Sequence, residues 1–340
     1  MYEFLIQIAI LGYERMYSKI LRGAATTMAG YVSYVLLNET KREHAIKSKE
    51  EIKDCGELVK NSFEFKEIGR PIHGTLSSSY VQHTGTGNIY VKKGAHSRSD
   101  LVKELMVSNA LHKIREDQPE CLIMQTPIKN GFQYHTLSRK FDHTQDVEEF
   151  VRNGRIDELK KKEVIGLADT LITDQIFGKQ SDTKLANMVV RDEQDKLIFT
   201  SIDHERAVNP NSFRFFHPTP PIYTKNKSTL VRSINDLGEQ SEDNHAGLAG
   251  DPRAKEFCKV AESVMNNSDI DNYYQKVAAA NLSSVKSECE KLAIASKGKL
   301  VRLGDCTGYE TFFEEMQRNA RNQLKSSESQ DNSSIVRKSY

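Results

Sequence analysis

Residues 174–205 read DQIFGKQSDTKLANMVVRDEQDKLIFTSIDHE, and the order of polar and apolar residues in this stretch decides the fold. Asp182, Lys184 and Asn187 stand in a D-x-K-x-x-N spacing, followed by two apolar runs and then Asp203. Met188 to Val190 and Leu197 to Ile202 read as strands, and the polar turn Asp192 to Asp195 joins them into a short hairpin. Such a hairpin places Asn187 just before one strand and Asp203 at the end of its partner. Two carboxylates and an amide then meet at one rim. Oxygen donors of that kind suit magnesium, which takes one or two carboxylates and completes its shell with water and substrate phosphates.

The spacing also matches the needs of phosphoryl transfer, which calls for charge neutralisation on a nucleotide and a group to orient the attacking hydroxyl. Asp203 would hold the metal that bridges the phosphates, and Asn187 would hold a second metal or share the first. Asp182 could accept a hydrogen bond from the nucleophile, and Lys184 could neutralise the phosphoryl group in flight. The same residue types also populate ordinary turns, so the segment alone is equally compatible with a solvated hairpin and a capping Asn.

The segment resembles the catalytic and metal-binding loops of the protein kinase superfamily, and most nearly its atypical branch: phosphatidylinositol 3- and 4-kinases, type II phosphatidylinositol 4-kinases and HipA-type kinases. Asp174 to Gly178 supplies their D-x-I-x-G-like phrase, Asp182 and Asn187 the loop, and Ile202-Asp203 the metal aspartate. Thr183 stands where the lipid kinases usually carry Arg, Lys184 is nearer the serine/threonine kinase pattern, and His204-Glu205 replaces the usual Phe-Gly. The resemblance implies an α+β, two-lobed protein-kinase-like fold with a small antiparallel-sheet N-lobe and a mainly helical C-lobe. It also implies ATP and Mg2+ as cofactors.

A nucleotide-clamping lobe must then lie upstream. His73 to Val81 (HGTLSSSYV) is a small-residue loop entering a strand, with Thr84 to Asn88 as a turn and Asn88 to Lys92 as the returning strand. Main-chain N–H groups around Gly74, Ser77, Ser78 and Ser79 could cradle phosphates, since serines leave those donors as available as glycines do. Ser78-Ser79-Tyr80-Val81 is similar to the S-x-S-Y-F phrase of type II phosphatidylinositol 4-kinases, and Tyr90-Val91-Lys92 to their V-F-K. Alternation sends Tyr90 and Lys92 to one face and Ile89 and Val91 to the other. On this basis Lys92 is the phosphate-pairing candidate and Lys93 faces away; the plain alternative for Lys92 is a solvated strand end.

A helix follows, capped by Ser97 or Ser99, with Asp100 completing a box from Ser97. Leu101, Val102, Leu105, Met106, Ala110 and Ile114 recur at helical spacing. Glu104 flanks that stripe and takes, by the resemblance, the ion-pair role toward Lys92; solvation is the alternative for a charge on a helix flank. Cys121 to Thr126 and Phe132 to Phe141 read as strands around the turn Ile128 to Gly131, ending at a hinge near Lys140 to Asp146.

The chain of 340 residues is 38% hydrophobic and 28% charged, within the range of globular proteins, and its net charge of +1 gives no pull toward nucleic acid. Five cysteines without a C-x-x-C pair argue against a zinc site or a disulfide framework, and for a reducing, cytoplasmic compartment. Residues 1–37 lack the basic start of a signal peptide and are broken by Glu14, Arg15, Lys19 and Arg22. They read as amphipathic helices packed on the core, with peripheral contact to a membrane surface as the alternative. Lys41 to Lys53 reads as an exposed helix or connector. The aromatic and basic stretch Phe213 to Lys227 sits where kinases carry a substrate loop, and could approach an anionic headgroup or simply plug the large lobe. Asp251 to Ile294 and Gly308 to Leu324 read as helices.

The expected organisation is a helical extension over 1–60, an N-lobe over 61–142, a C-lobe over 143–324 and a disordered tail over 325–340. The expected activity is transfer of the ATP γ-phosphate to a hydroxyl on a phosphoinositide lipid. The alternatives are a Ser/Thr protein kinase, a nucleotidylyltransferase that moves AMP, and a catalytically silent binding module. The isolated, divergent motif set suggests a bacterial effector, delivered to a host cytosol without a cleaved signal peptide.

Overall fold

The computed structural model describes residues 46–53, 55, 57–69, 78–95, 97–177, 185–204, 207, 221–240 and 251–336. The expectations placed on residues 1–45, Gly74, Ser77, Asp182, Lys184 and the stretch 208–220 lie outside the described residues.

The first sheet contains β1 (Ile46–Ser48), β2 (Val59–Asn61), β3 (Phe65–Gly69), β4 (Ser79–His83), β5 (Ile89–Gly94), β6 (Cys121–Ile128) and β7 (Gly131–Lys140). Its order is β2-β6-β7-β5-β4-β3, with β1 also paired to β7. Pairing is antiparallel except for the parallel β2–β6 pair. The segment expected to be a helix or connector is therefore partly a strand, and residues assigned to the extension belong to the sheet. The cause is long-range. Gly131, at φ +135°, lets the β6–β7 turn approach so closely that a Cβ there would lie 2.2 Å from the Ser48 carbonyl oxygen. Gln125 Oε1 accepts the Ile52 N–H at 2.7 Å, and the Tyr134 hydroxyl donates to the Glu50 carbonyl.

Between β5 and β6 runs α1 (Arg98–Ile114). Its Ser97 cap accepts the Asp100 N–H at 3.1 Å, which satisfies one of the orphan donors of the first turn. Leu101, Val102, Leu105, Met106, Ala110 and Ile114 are all buried, as their spacing requires. Each large apolar side chain so buried contributes about 1.5–3 kcal/mol. The opposite face of the sheet has its own small cluster of Val81, Tyr90, Leu122, Met124 and Leu137, with Phe65 packed on it.

The chain then passes through β8 (Thr144–Asp146), α2 (Val147–Arg152), a 3-10 turn at Arg155–Lys160, β9 (Glu163–Ile165) and α3 (Leu167–Ile176). A further 3-10 turn at Leu185–Asn187 leads into β10 (Met188–Glu193) and β11 (Lys196–Ser201). These strands form a second sheet in the order β8-β10-β11-β9. Five helices follow among the described residues: α4 (Lys227–Gln240), α5 (Pro252–Val264), α6 (Asn267–Ala279), α7 (Ser283–Ala295) and α8 (Leu303–Val336). The last helix runs on to Val336, into the stretch 325–340 expected to be a disordered tail. Extending a formed helix fixes one residue per new hydrogen bond, so a polar sequence can follow where it could not nucleate.

One hydrophobic core runs from the inner face of the first sheet through α1 into the helices. Cys289 of α7 and Cys306 of α8 form a disulfide with a Cα–Cα distance of 5.7 Å, contrary to the expectation of no such bond. Among the described residues no helix is long and apolar enough to cross a membrane. The layout is α+β and two-lobed: a sheet lobe with one long helix, then a mainly helical lobe with a hairpin at the junction. That is a protein-kinase-like arrangement.

Candidate active site

The hairpin expected from sequence forms with Met188 opposite Ser201 and Glu193 opposite Lys196. One step beyond the ladder, the Ile202 N–H donates to the Asn187 carbonyl at 2.9 Å, so Asn187 and Asp203 leave the same end of the hairpin. Asn187 is buried. Asp203 has φ 62°, in the left-handed region that Asp and Asn enter more readily than bulkier residues. Such conformations persist where the surroundings over-determine them, commonly at functional sites. Asp174 lies buried in α3 and accepts the Ser201 hydroxyl at 2.9 Å, which ties the end of β11 to that helix.

Across the junction, Lys93 Nζ meets Asp203 Oδ1 at 2.6 Å. The neighbouring Lys92 pairs with Glu67 at 3.6 Å on the other side of the sheet. The expected alternation is present, and the lysine that it brings to Asp203 is Lys93 rather than Lys92. Tyr90 belongs to the cluster of Val81, Leu122 and Leu137, and Lys92 shares its face, with Leu137 as cross-strand partner. Burial and the Lys92 ammonium together push His135 of β7 down to about 4, as expected for two groups on that side. Ser79 is buried and shares the parity of Val81, so its side chain is on the Lys92 face; Ser78 has the opposite parity.

Glu104 is buried in α1, and its expected pairing with Lys92 is not what the structure places there. Glu104 Oε2 accepts the backbone N–H of His204 at 2.5 Å, and its Oε1 accepts the Ser108 hydroxyl at 3.4 Å. The helix carboxylate thus grips the main chain immediately after Asp203. Lys93 and His204 were the residues that sequence reasoning missed. Tyr90 and Lys92 share a face in the sequence pattern, but only the packing of Tyr90 with Val81, Leu122 and Leu137 shows that this face is turned away from Asp203. The His204 contact is made through the backbone and leaves no trace in residue type.

Among the described residues no group of three or more His, Cys, Asp or Glu side chains is arranged to hold a metal. One carboxylate and one amide, from Asp203 and Asn187, nevertheless match the sparse protein ligation that magnesium accepts when phosphates and water supply the rest. Chemically, the rim offers an oxygen-rich end for a hard cation and an ammonium poised beside it.

No protein-family model and no curated protein matches the chain. Solved structures that resemble it include WaaP in complex with acyl carrier protein, at 13% identity and TM-score 0.33, covering 68% of this chain and 88% of that one. The proinflammatory kinase CtkA of Helicobacter pylori resembles it at 11% identity and TM-score 0.41, covering 76% of this chain and 96% of that one. The PknI kinase domain of Mycobacterium tuberculosis does so at 11% identity and TM-score 0.27, with coverages of 76% and 96%. At this level of likeness neither family nor activity is assigned, and the functional reading rests on the site itself.

Proposed function

We propose that the chain is a magnesium- and ATP-dependent phosphotransferase that moves the γ-phosphate of ATP to an alcohol. The observation that carries this reading is the Lys93–Asp203 pair at 2.6 Å, beside the hairpin end that also presents Asn187. In this proposal Asp203 and Asn187 hold the metal, and Lys93 takes the phosphate-pairing role first given to Lys92. Magnesium, when bound, supplies charge neutralisation on the phosphate oxygens. Glu104 fixes the turn after Asp203 through the His204 N–H, which keeps the carboxylate facing the cleft. The main chain around Gly74, Ser77, Ser78 and Ser79 cradles the phosphates. Asp182 orients the acceptor hydroxyl, and Lys184 assists neutralisation.

The acceptor in this reading is a hydroxyl of a phosphoinositide headgroup, supported by the Ser78 to Val81 phrase. A Ser or Thr hydroxyl on a protein is the second reading, favoured by Lys184 two positions after Asp182. Incubation with γ-labelled or α-labelled ATP, offered phosphatidylinositol vesicles or a protein extract separately, tests both. γ-label in lipid supports the first acceptor, and γ-label in protein moves the assignment to the second. Transfer of α-label identifies a nucleotidylyltransferase. No transfer of either label in any arm refutes the phosphotransferase.

A further inference from the structure

Polar contacts at its start, middle and end fasten α1 to the rest of the molecule. Near its start, the Arg98 guanidinium donates to the Gly298 carbonyl between α7 and α8 at 3.3 Å. In its middle, Glu104 accepts the His204 N–H. At its end, the cap residue Arg115 is buried and reaches into the second lobe. Its Nη1 donates to the Gly166 carbonyl at 3.3 Å and to Asp169 Oδ2 at 3.1 Å. Its Nη2 donates to the Phe199 carbonyl at 3.0 Å, and Nε and Nη2 both reach the Asp117 carboxylate, at 2.7 and 2.5 Å.

These acceptors lie on the path to the site. Gly166 caps α3, Asp169 lies in its first turn, and α3 carries Asp174, which holds Ser201. Phe199 lies in β11, the strand that runs out into Asp203. From α1, through Arg115 to β11, on to Asp203 and His204, and back through Glu104 to α1, the contacts close a ring. The fit is close: Gly166 has φ +74°, and a Cβ there would lie 2.1 Å from Arg115 Nη1. Only a planar guanidinium, with five donors in a fixed fork, can serve four acceptor groups at once; an ammonium has three donors on a single atom.

We propose that Arg115 is a positioning residue for the site: it sets α1 against α3 and β11 so that Glu104 meets the His204 amide and Asp203 is held facing Lys93. This rests on the site described above, but its test does not need an active enzyme. The measurement is hydrogen exchange at the His204 amide in the full chain, in wild type, in Arg115→Lys, and in the charge-balanced pair Arg115→Met with Asp169→Leu. Arg115→Lys keeps a cation for Asp169 but loses the fork, so the fold has its best chance of surviving there. If the paired variant does not fold, Arg115→Lys decides.

Exchange at His204 is expected to rise by about 10-fold or more while α6 amides keep their wild-type rates, as for a local rather than a global opening. Arg155→Lys, which alters another arginine–carboxylate cluster on Glu158 and Asp192, is expected to leave the His204 rate unchanged. Unchanged exchange at His204 in a folded Arg115 variant would overturn the proposal. So would an equal rise across α6, which would reveal a general stabiliser. Absence of phosphoryl transfer would count against the proposed function and leave this inference to the amide rates.

Discussion

Lys93 and Asp203 are 110 positions apart and lie 2.6 Å from each other, whereas Lys92, one position away, points to the far side of the sheet. The two lysines are chemically identical, so the strand's period of two alone decides which one reaches Asp203. Lys93→Ala is expected to lower turnover by about 10²–10³-fold, the range for removing one preorganised electrostatic group. Lys92→Ala should stay within about 2-fold, because a partly exposed surface pair contributes little. Steady-state rates on the two purified variants check this, and a larger loss at Lys92 would reverse the assignment.

At the scale of elements, Glu104 acts on the backbone, which separates two substitutions that a charge-based role would not. Glu104→Gln keeps an oxygen that can accept the His204 N–H, while Glu104→Ala leaves that donor without its acceptor. Turnover of Glu104→Gln should stay within about 10-fold of wild type and Glu104→Ala should fall further, since an unsatisfied buried donor costs about 1–3 kcal/mol. Equal losses in the two variants would show that the charge matters instead. The α7–α8 disulfide spans 17 positions. Replacing Cys306 by Ser should cost about 2–4 kcal/mol in urea unfolding, the usual range for a closed loop of that size.

The elements with local signals were legible in the sequence: the β10–β11 hairpin from its polar turn, α1 from its Ser97 cap and apolar stripe, and β6–β7 from the turn around Gly131. What failed to show depended on distant partners. β1 is three residues in a charge-dense segment, and only its pairing with Tyr134, Gln133 and Phe132 makes it a strand. The Cys289–Cys306 pairing depends on how two helices pack. The choice between Lys92 and Lys93 required knowing which face of the sheet the second lobe covers.

At the scale of the whole molecule, the two lobes are braced at more than one place. At the hinge the Phe141 ring is within cation–π reach of two guanidinium groups, that of Arg139 in β7 at 5.4 Å from its centroid and that of Arg191 in β10 at 5.0 Å. A cation over an aromatic face is attracted to it, so the shared Phe141 ring couples the two sheets. Deeper in, Arg115 and the continuous core bind α1 to the helical lobe. A braced junction of this kind holds Lys93, Asp203 and Glu104 in one arrangement, as the proposed phosphoryl transfer would require. The most direct test is release or transfer of the γ-phosphate from labelled ATP by wild type and Asp203→Asn, each with magnesium and with the metal chelated. Asn retains the left-handed backbone at this position, so only the charge is removed. Wild type is predicted to turn over only with magnesium, and Asp203→Asn to fall by about 10²–10³-fold with little change in melting temperature. A wild-type chain inert under every condition, or an Asp203→Asn variant as fast as wild type, would contradict the account.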